Sequence, residues 1–209
     1  LTDTAPPGVP EPARERIGIF GGTFDPVHVA HLVAAVNVRH ELGLDRVLMI
    51  VANDPWQKSG SHAVTPPAAR LSMVEAAVEG VAGLEASGLE IERGGVTYTA
   101  DSVAELRSRH PDAELFLIVG ADVADELASW QRVEELRAEV TLVVVTRPGT
   151  VLSAGALDGW RARTVVIPQL EISSTDLRER AGTGRPLDYL VPAATIRRIR
   201  DLALYAVDR

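Results

Sequence analysis

RIGIFGGTFDPVHVAH, residues 16–31, reads as a strand, a tight turn and a helix start. Ile17, Ile19 and Phe20 form a short apolar run, Gly21 and Gly22 follow, and helical periodicity begins at Asp25-Pro26. Asp25 is a favourable helix cap, and Pro26 suits the first helical position, where its missing N–H costs nothing. Counted from that cap, His28 and His31 are three residues apart in the opening turns, so both imidazoles project from one side. A glycine-rich turn entering a helix N-terminus presents unpaired N–H groups and the positive end of the helix dipole together, which makes an anion site. Two histidines beside it point to phosphate chemistry.

The same alternation continues outward from this unit. Helix one is expected from Pro26 to about Leu42, stopping at Gly43, with Val29, Val33 and Val36 as its buried stripe. Val47–Val51 is apolar throughout, as are Leu115–Val119 and Val140–Thr146; such runs suit parallel strands covered on both faces. Val165–Ile167 reads as a further short strand, and Leu89-Glu90-Ile91 alternates like one. Helices are expected over Pro67–Val78, from a Thr99 cap to Ser108, around Trp130, over Ser174–Arg180, and from Pro192 to about Ala206. Repeated strand-then-helix units predict an α/β fold, a single-domain, Rossmann-like, doubly wound parallel sheet. Residues 1–15 carry four prolines and no hydrophobic periodicity, and read as a disordered extension outside a domain over 16–209.

Composition narrows the function classes. At 209 residues and 46% hydrophobic content the chain can bury a sizeable core. Without cysteine, neither a disulfide frame nor a thiolate metal site is available. No apolar run is long enough to span a bilayer and no secretory signal layout precedes the first strand, so a cytoplasmic protein is expected. A net charge of −8 argues against nucleic-acid or membrane-surface partners, which call for a basic face. Lys58, the only lysine beside twenty arginines, lies in the long loop after the second strand, where a point charge suits a phosphate. Oligomeric state is not legible, and a homo-oligomer stays open.

In an open parallel sheet, ligands bind beyond the carboxyl ends of the strands. Gly21-Gly22, Asn53–Lys58, Gly120–Asp122 and Arg147 all follow expected strands, and this convergence outweighs any single motif. The glycines give neither GxGxxG spacing nor a GKS/GKT P-loop. A metal site is not expected, since no third ligand joins His28 and His31 by spacing. His40, His62 and His110 carry no site signal. Ile172-Ser173-Ser174-Thr175-Asp176-Leu177-Arg178 has a capping-box-like start at Ser173 and Asp176, with Arg178 one turn inside. Paired with the first motif, it supplies a second anion-binding helix.

GGTFDPVHVAH and ISSTDLR together resemble the T/HxGH and ISSTxxR elements of the nucleotidylyltransferase superfamily. Within it, Thr97-Tyr98-Thr99-Ala100-Asp101-Ser102, Gly120-Ala121-Asp122 with Trp130, and Arg147-Pro148-Gly149 resemble the bacterial nicotinate mononucleotide adenylyltransferase family. The likeness runs from about Ile17 to Tyr205. It departs at Ala30, where the family commonly has Gly. It departs again at Asp54-Pro55-Trp56-Gln57-Lys58, where a PPHK or PPHR loop is common: the cation is kept and the histidine is absent.

The resemblance implies transfer of AMP from ATP to nicotinate mononucleotide, giving deamido-NAD and pyrophosphate, with Mg2+ carried on the ATP. It implies that His28 and His31 meet the ATP phosphates, His28 bearing on the transition state. Lys58 and Arg178 would neutralise the triphosphate, with Ser174 and Thr175 as donors. Gly21, Gly22, Thr23, Phe24 and Ile172 would complete the ATP site, and Gly120 and Asp122 would meet the adenosine ribose. For the acceptor it implies Trp130 stacked on the pyridine ring and Tyr98 and Thr99 at the nicotinate carboxylate, with Asn53 and Arg147 nearby. Two other readings remain open: a sister transferase using pantetheine phosphate (or nicotinamide mononucleotide as acceptor), and a nucleotide-binding module without turnover.

Overall fold

The computed structural model describes residues 14–55, 64–150 and 152–206. Among these, six strands run parallel in one sheet: β1 (Arg16–Gly22), β2 (Arg46–Val51), β3 (Leu84–Ser87), β4 (Glu114–Gly120), β5 (Val140–Thr146) and β6 (Ala162–Val166). Their spatial order is β3-β2-β1-β4-β5-β6, so the winding reverses between β1 and β4. That reversal opens a crevice at the carboxyl ends of the two strands.

Both sheet faces are covered, which is why the central strands are apolar throughout. Val47, Met49 and Val51 of β2 pack with Ala34, Ala35 and Val38 of α1 (Val29–Leu42) and with Met73 and Val74 of α2 (Pro67–Val78). Leu177 of α7 (Ser174–Thr183) and Ile196 and Ile199 of α8 (Ala193–Asp201) complete that layer. Leu48 and Ile50 face the other way, toward Val103 and Leu106 of α4 (Thr99–Arg109) and Leu136 of α6 (Val133–Glu139). Two short helices, α3 (Leu89–Arg93) and α5 (Ala121–Ala124), stand at strand exits. Gly18 sits where β1 is pressed between its neighbours: a Cβ there would come within 2.9 Å of Val47 Cγ2 and 3.0 Å of Ile118 Cδ1. No described helix is long and apolar enough to cross a membrane.

The structure corrects several expectations. Helix α1 begins at Val29 with His28 as its N-cap, not at Asp25-Pro26. Gly21 and Gly22 end the strand, and the turn comes after them through a cis Asp25-Pro26 bond. Asp25 does not cap because its carboxylate is already occupied, accepting from the Tyr205 hydroxyl at 2.6 Å and from the Thr65 amide at 3.2 Å. Val29, Val33 and Val36 are not the buried stripe of α1; Val36 is 44% exposed, and the small Ala34 and Ala35 let the helix close on the sheet.

Leu89-Glu90-Ile91 belongs to a helix, with Leu89 and Glu90 both buried. The strand is the preceding Leu84–Ser87. Trp130 lies just past a 3-10 turn over Leu127–Ser129 rather than inside a helix, and Tyr98, not Thr99, is the N-cap of α4. The last helix ends at Asp201. Of the stretch expected to lie outside the fold, residues 1–13 fall outside the described residues. Glu15 is tied in: its carbonyl accepts from the Glu114 amide at 2.8 Å and its carboxylate pairs with Arg46 and His110.

Candidate active site

A cavity of about 750 Å³ opens at the crevice between β1 and β4. Its floor is formed by strand ends, Ile19–Gly22 from β1 and Leu117–Gly120 from β4. On one side stand Thr23, Phe24, His28, Ala30 and His31. Opposite them are Thr97, Tyr98, Thr99 and Trp130, with the N-terminus of α4 turned toward the space between. Gly120, Asp122 and Arg147 close the end beyond β4 and β5, and Ile172 and Ser174 the side beneath α7. A Cβ on Gly21 would meet no atom within 4 Å, so it is the cavity, not packing, that gains from the missing side chain.

The two histidines are held as a pair. Their rings stack at 3.7 Å between centroids, 25° from parallel. The His28 amide donates to His31 Nδ1 at 3.2 Å, leaving the His31 ring proton on Nε2. Phe24 adopts φ 51°, unusual for a bulky side chain, and is held there by burial, with its ring edge-on to His31 at 5.0 Å and to Phe20 at 5.9 Å. His28 is 5% exposed; its side chain faces the His31 amide in a capping-box arrangement, and its buried Nδ1 makes no hydrogen bond of normal geometry among the described residues. Burial away from water lowers its pKa from 6.5 to about 4, so the imidazole is neutral in the ligand-free cavity. A buried imidazole with spare hydrogen-bonding capacity beside a cavity is the arrangement of a ligand-binding group.

The ISSTDLR segment docks onto this turn. Ser173 Oγ accepts from the Asp176 amide at 3.2 Å, the cap that the spacing indicated. Ser174 Oγ donates to the Pro26 carbonyl at 3.0 Å, and Arg178 donates to the Asp25 carbonyl at 2.7 Å and to Thr175 Oγ1 at 3.3 Å. Arg178 and Thr175 therefore stand behind the turn rather than on the cavity wall. Asn53 does not line the wall either: its amide donates to Thr97 Oγ1 at 3.1 Å and its side chain to the Gly95 carbonyl at 2.8 Å. Lys58 and His62 lie outside the described residues. Among the described residues no three His, Asp or Glu side chains gather as metal ligands.

Several residues that organise this site escaped the sequence reading. Arg70 is 1% exposed and donates to three carbonyls, Thr65 at 2.7 Å, Thr23 at 2.8 Å and Asn53 at 3.1 Å. It fastens the turn after β1 to the loop after β2. A signal was available, because Arg70 shares the apolar face of α2 with Met73, Val74 and Ala77. Tyr205 had none, since its partner Asp25 is 180 residues away. Burial, followed by the hydrogen bond to Asp25, pushes the Tyr205 pKa up and keeps the phenol neutral. Glu90, 5% exposed on the cavity wall, accepts from Ser102 Oγ at 2.5 Å, and its pKa is raised chiefly by burial.

Residues 19–180 match the family model described as cytidylyltransferase-like. A "Probable nicotinate-nucleotide adenylyltransferase" of Saccharopolyspora erythraea is 42% identical over 193 residues, covering 92% of this chain and 90% of the relative. A protein of the same description from Clavibacter sepedonicus is 43% identical over 192 residues, covering 92% and 94%. Among solved structures, a Plasmodium falciparum nicotinic acid mononucleotide adenylyltransferase complexed with NaAD superposes with a TM-score of 0.77. At 20% identity, covering 92% of this chain and 98% of that one, the likeness is one of fold.

Proposed function

This chain belongs to the cytidylyltransferase-like family and, within it, to the nicotinate-nucleotide adenylyltransferases; from that premise we propose that it transfers AMP from ATP to nicotinate mononucleotide in NAD biosynthesis. The observation that carries the reading is the stacked His28–His31 pair at the start of α1, on a cavity whose far wall is the N-terminus of α4. One wall suits a polyphosphate and the other a ring bearing a carboxylate.

The reaction asks for alignment and charge neutralisation more than for proton transfer. An oxygen of the acceptor's 5′-phosphate, already anionic, attacks the α-phosphorus of ATP. The bond from that phosphorus to the bridging oxygen breaks, and pyrophosphate leaves with the electron pair. No general base is required. His28 and His31 meet the ATP phosphates, and phosphate charge beside His28 raises its lowered pKa, so the imidazole becomes a stronger donor as the substrate arrives. Gly21 gives the phosphates room, and Gly22, where a Cβ would come within 2.7 Å of the Phe24 ring, lets that ring seat against the turn, beside Thr23 and Ile172. Ser174, held on the Pro26 carbonyl, keeps α7 against the turn, and Arg178, bonded to Thr175 and to the Asp25 carbonyl, acts on the phosphates at one remove by bracing the turn and adding positive charge behind it. Lys58 neutralises the outer phosphates. Magnesium carried on the ATP would add charge neutralisation at the phosphates that His28, His31 and Lys58 meet.

Gly120 and Asp122 take the adenosine ribose. On the acceptor side Trp130 stacks on the pyridine ring, Tyr98 and Thr99 meet its carboxylate at the start of α4, and Arg147 balances the acceptor phosphate. Asn53 acts at one remove, through Thr97. Pyrophosphate release from ATP, measured with nicotinate mononucleotide, nicotinamide mononucleotide and phosphopantetheine as separate acceptors, tests the reading. Release is expected with nicotinate mononucleotide at the highest kcat/KM. Release with phosphopantetheine alone would make the chain a sister transferase, and release with none a binding module.

A further inference from the structure

Glu90 is a buried carboxyl on the acceptor wall that the reaction itself does not use, and its surroundings form a closed hydrogen-bond relay. Ser102 Oγ accepts from Arg93 Nη2 at 3.0 Å, so the serine proton is committed to Glu90 Oε1, 2.5 Å away. Arg93 is itself braced by Glu105 at 3.1 Å. Thr97 is the mirror case. Its Oγ1 accepts from the amides of Asn53 at 3.1 Å and Asp54 at 3.3 Å, and its hydroxyl is bonded to Glu90 as well. With two amides donating into the oxygen, the Thr97 proton goes to the carboxyl. A carboxylate receiving two hydroxyl protons in a buried site is a strong, directional anchor.

The anchor lies between two pieces of chain that no backbone ladder joins firmly. Asp54 and Val96 meet in a single isolated bridge, and the Thr97 amide donates to the Asp54 carbonyl at 3.3 Å. Thr97 immediately precedes Tyr98, the N-cap of α4, and Ser102 lies in its first turns. Glu90 thus pins the start of α4 from both sides, before and after the cap. The ATP wall, formed by the turn after β1 and by α7, meets this relay at Asn53: the turn is held to the Asn53 carbonyl by Arg70, which also holds the Thr23 carbonyl, whereas the relay engages the Asn53 amide, so Arg70 and not Glu90 fixes the turn.

We infer that Glu90 is a positioning residue for acceptor recognition: by taking the hydroxyl protons of Thr97 and Ser102 it holds the start of α4 in register with the loop after β2, and so sets affinity for the pyridine mononucleotide without setting affinity for ATP. The inference rests on the acceptor lying at Tyr98 and Thr99.

The test is steady-state kinetics with each substrate varied in turn, on Glu90→Gln, Thr97→Val and Thr97→Ser. Gln cannot accept both protons in the same way, and Val removes one of the two hydroxyls at nearly constant volume. In both variants KM for nicotinate mononucleotide is expected to rise at least about tenfold, the scale of one lost hydrogen bond to a charged group, while KM for ATP stays within about twofold. Thr97→Ser, which keeps the hydroxyl, is expected to restore the acceptor KM. Should Glu90→Gln fail to fold, the pair at Thr97 carries the test. A parallel rise in both KM values, an unchanged acceptor KM, or Thr97→Ser behaving like Thr97→Val would overturn the inference. An unsubstituted protein that releases no pyrophosphate with nicotinate mononucleotide would instead overturn the functional reading beneath it.

Discussion

His28→Ala is expected to lower kcat at least about a hundredfold, the scale seen when one preorganised donor to a developing charge is removed. Its Nδ1 is buried beside the cavity with no hydrogen bond of normal geometry among the described residues, and stacking on His31 holds the ring in place before substrate arrives. The far-UV spectrum should be unchanged, since α1 retains its core contacts through Ala34, Ala35 and Val38. The same variant carries a stability signature. The unfolded chain protonates this imidazole as pH falls below 6.5, whereas the folded chain refuses the proton until about pH 4. Folding therefore loses stability across that interval and is unaffected by this group above it. The loss amounts to about 3 kcal/mol at most. Melting curves of wild type and variant should diverge in slope between pH 6.5 and 4, with the variant the flatter. A near-normal turnover number would show that His28 is not the group facing the phosphates.

Arg70→Ala is expected to destabilise the fold by at least about 3 kcal/mol, the scale of breaking a buried charged network by removing one partner. The guanidinium is 1% exposed, and its removal leaves the carbonyls of Thr65, Thr23 and Asn53 without their donor and opens a void against Met73 and Val74. Asp25, whose charge attracts Arg70, would remain buried at 3% exposure, with Tyr205 and Thr65 as its donors among the described residues. Chemical denaturation read by tryptophan fluorescence measures the shift in midpoint. Arg70→Lys should recover only part of it, because one ammonium cannot span three carbonyls in the fork a guanidinium provides. A midpoint unchanged in Arg70→Ala would mean that water replaces the clamp at no cost.

The central strands were legible because double burial leaves few polar positions to confuse the reading: Val140–Thr146, with only Thr141 and Thr146 bearing hydroxyls, has the same limits in sequence and structure. The cavity wall at the start of α1 and α7 was legible for a different reason, that His28, His31 and Ser174 are each named by short local patterns. What could not be read is whatever depends on distant parts of the chain. Asp25 has the chemistry of a cap, and only the arrival of Tyr205 and Thr65 diverts its carboxylate and moves the helix start to His28. Leu89-Glu90-Ile91 alternates over too few residues to separate a strand from one turn of helix, and the burial of Glu90 depends on Ser102 and Thr97. Arg178 stands one turn inside a helix start, as the spacing indicated, but its bond to the Asp25 carbonyl, which sets it behind the turn, follows from docking of α7.

Supplying ATP labelled on its α-phosphorus together with nicotinate mononucleotide, and following the label through one round of reaction, examines the chemistry directly. Attack at the α-phosphorus puts the label in the dinucleotide and leaves pyrophosphate unlabelled. Label recovered in free AMP alone, with no dinucleotide formed, would contradict adenylyl transfer in this cavity.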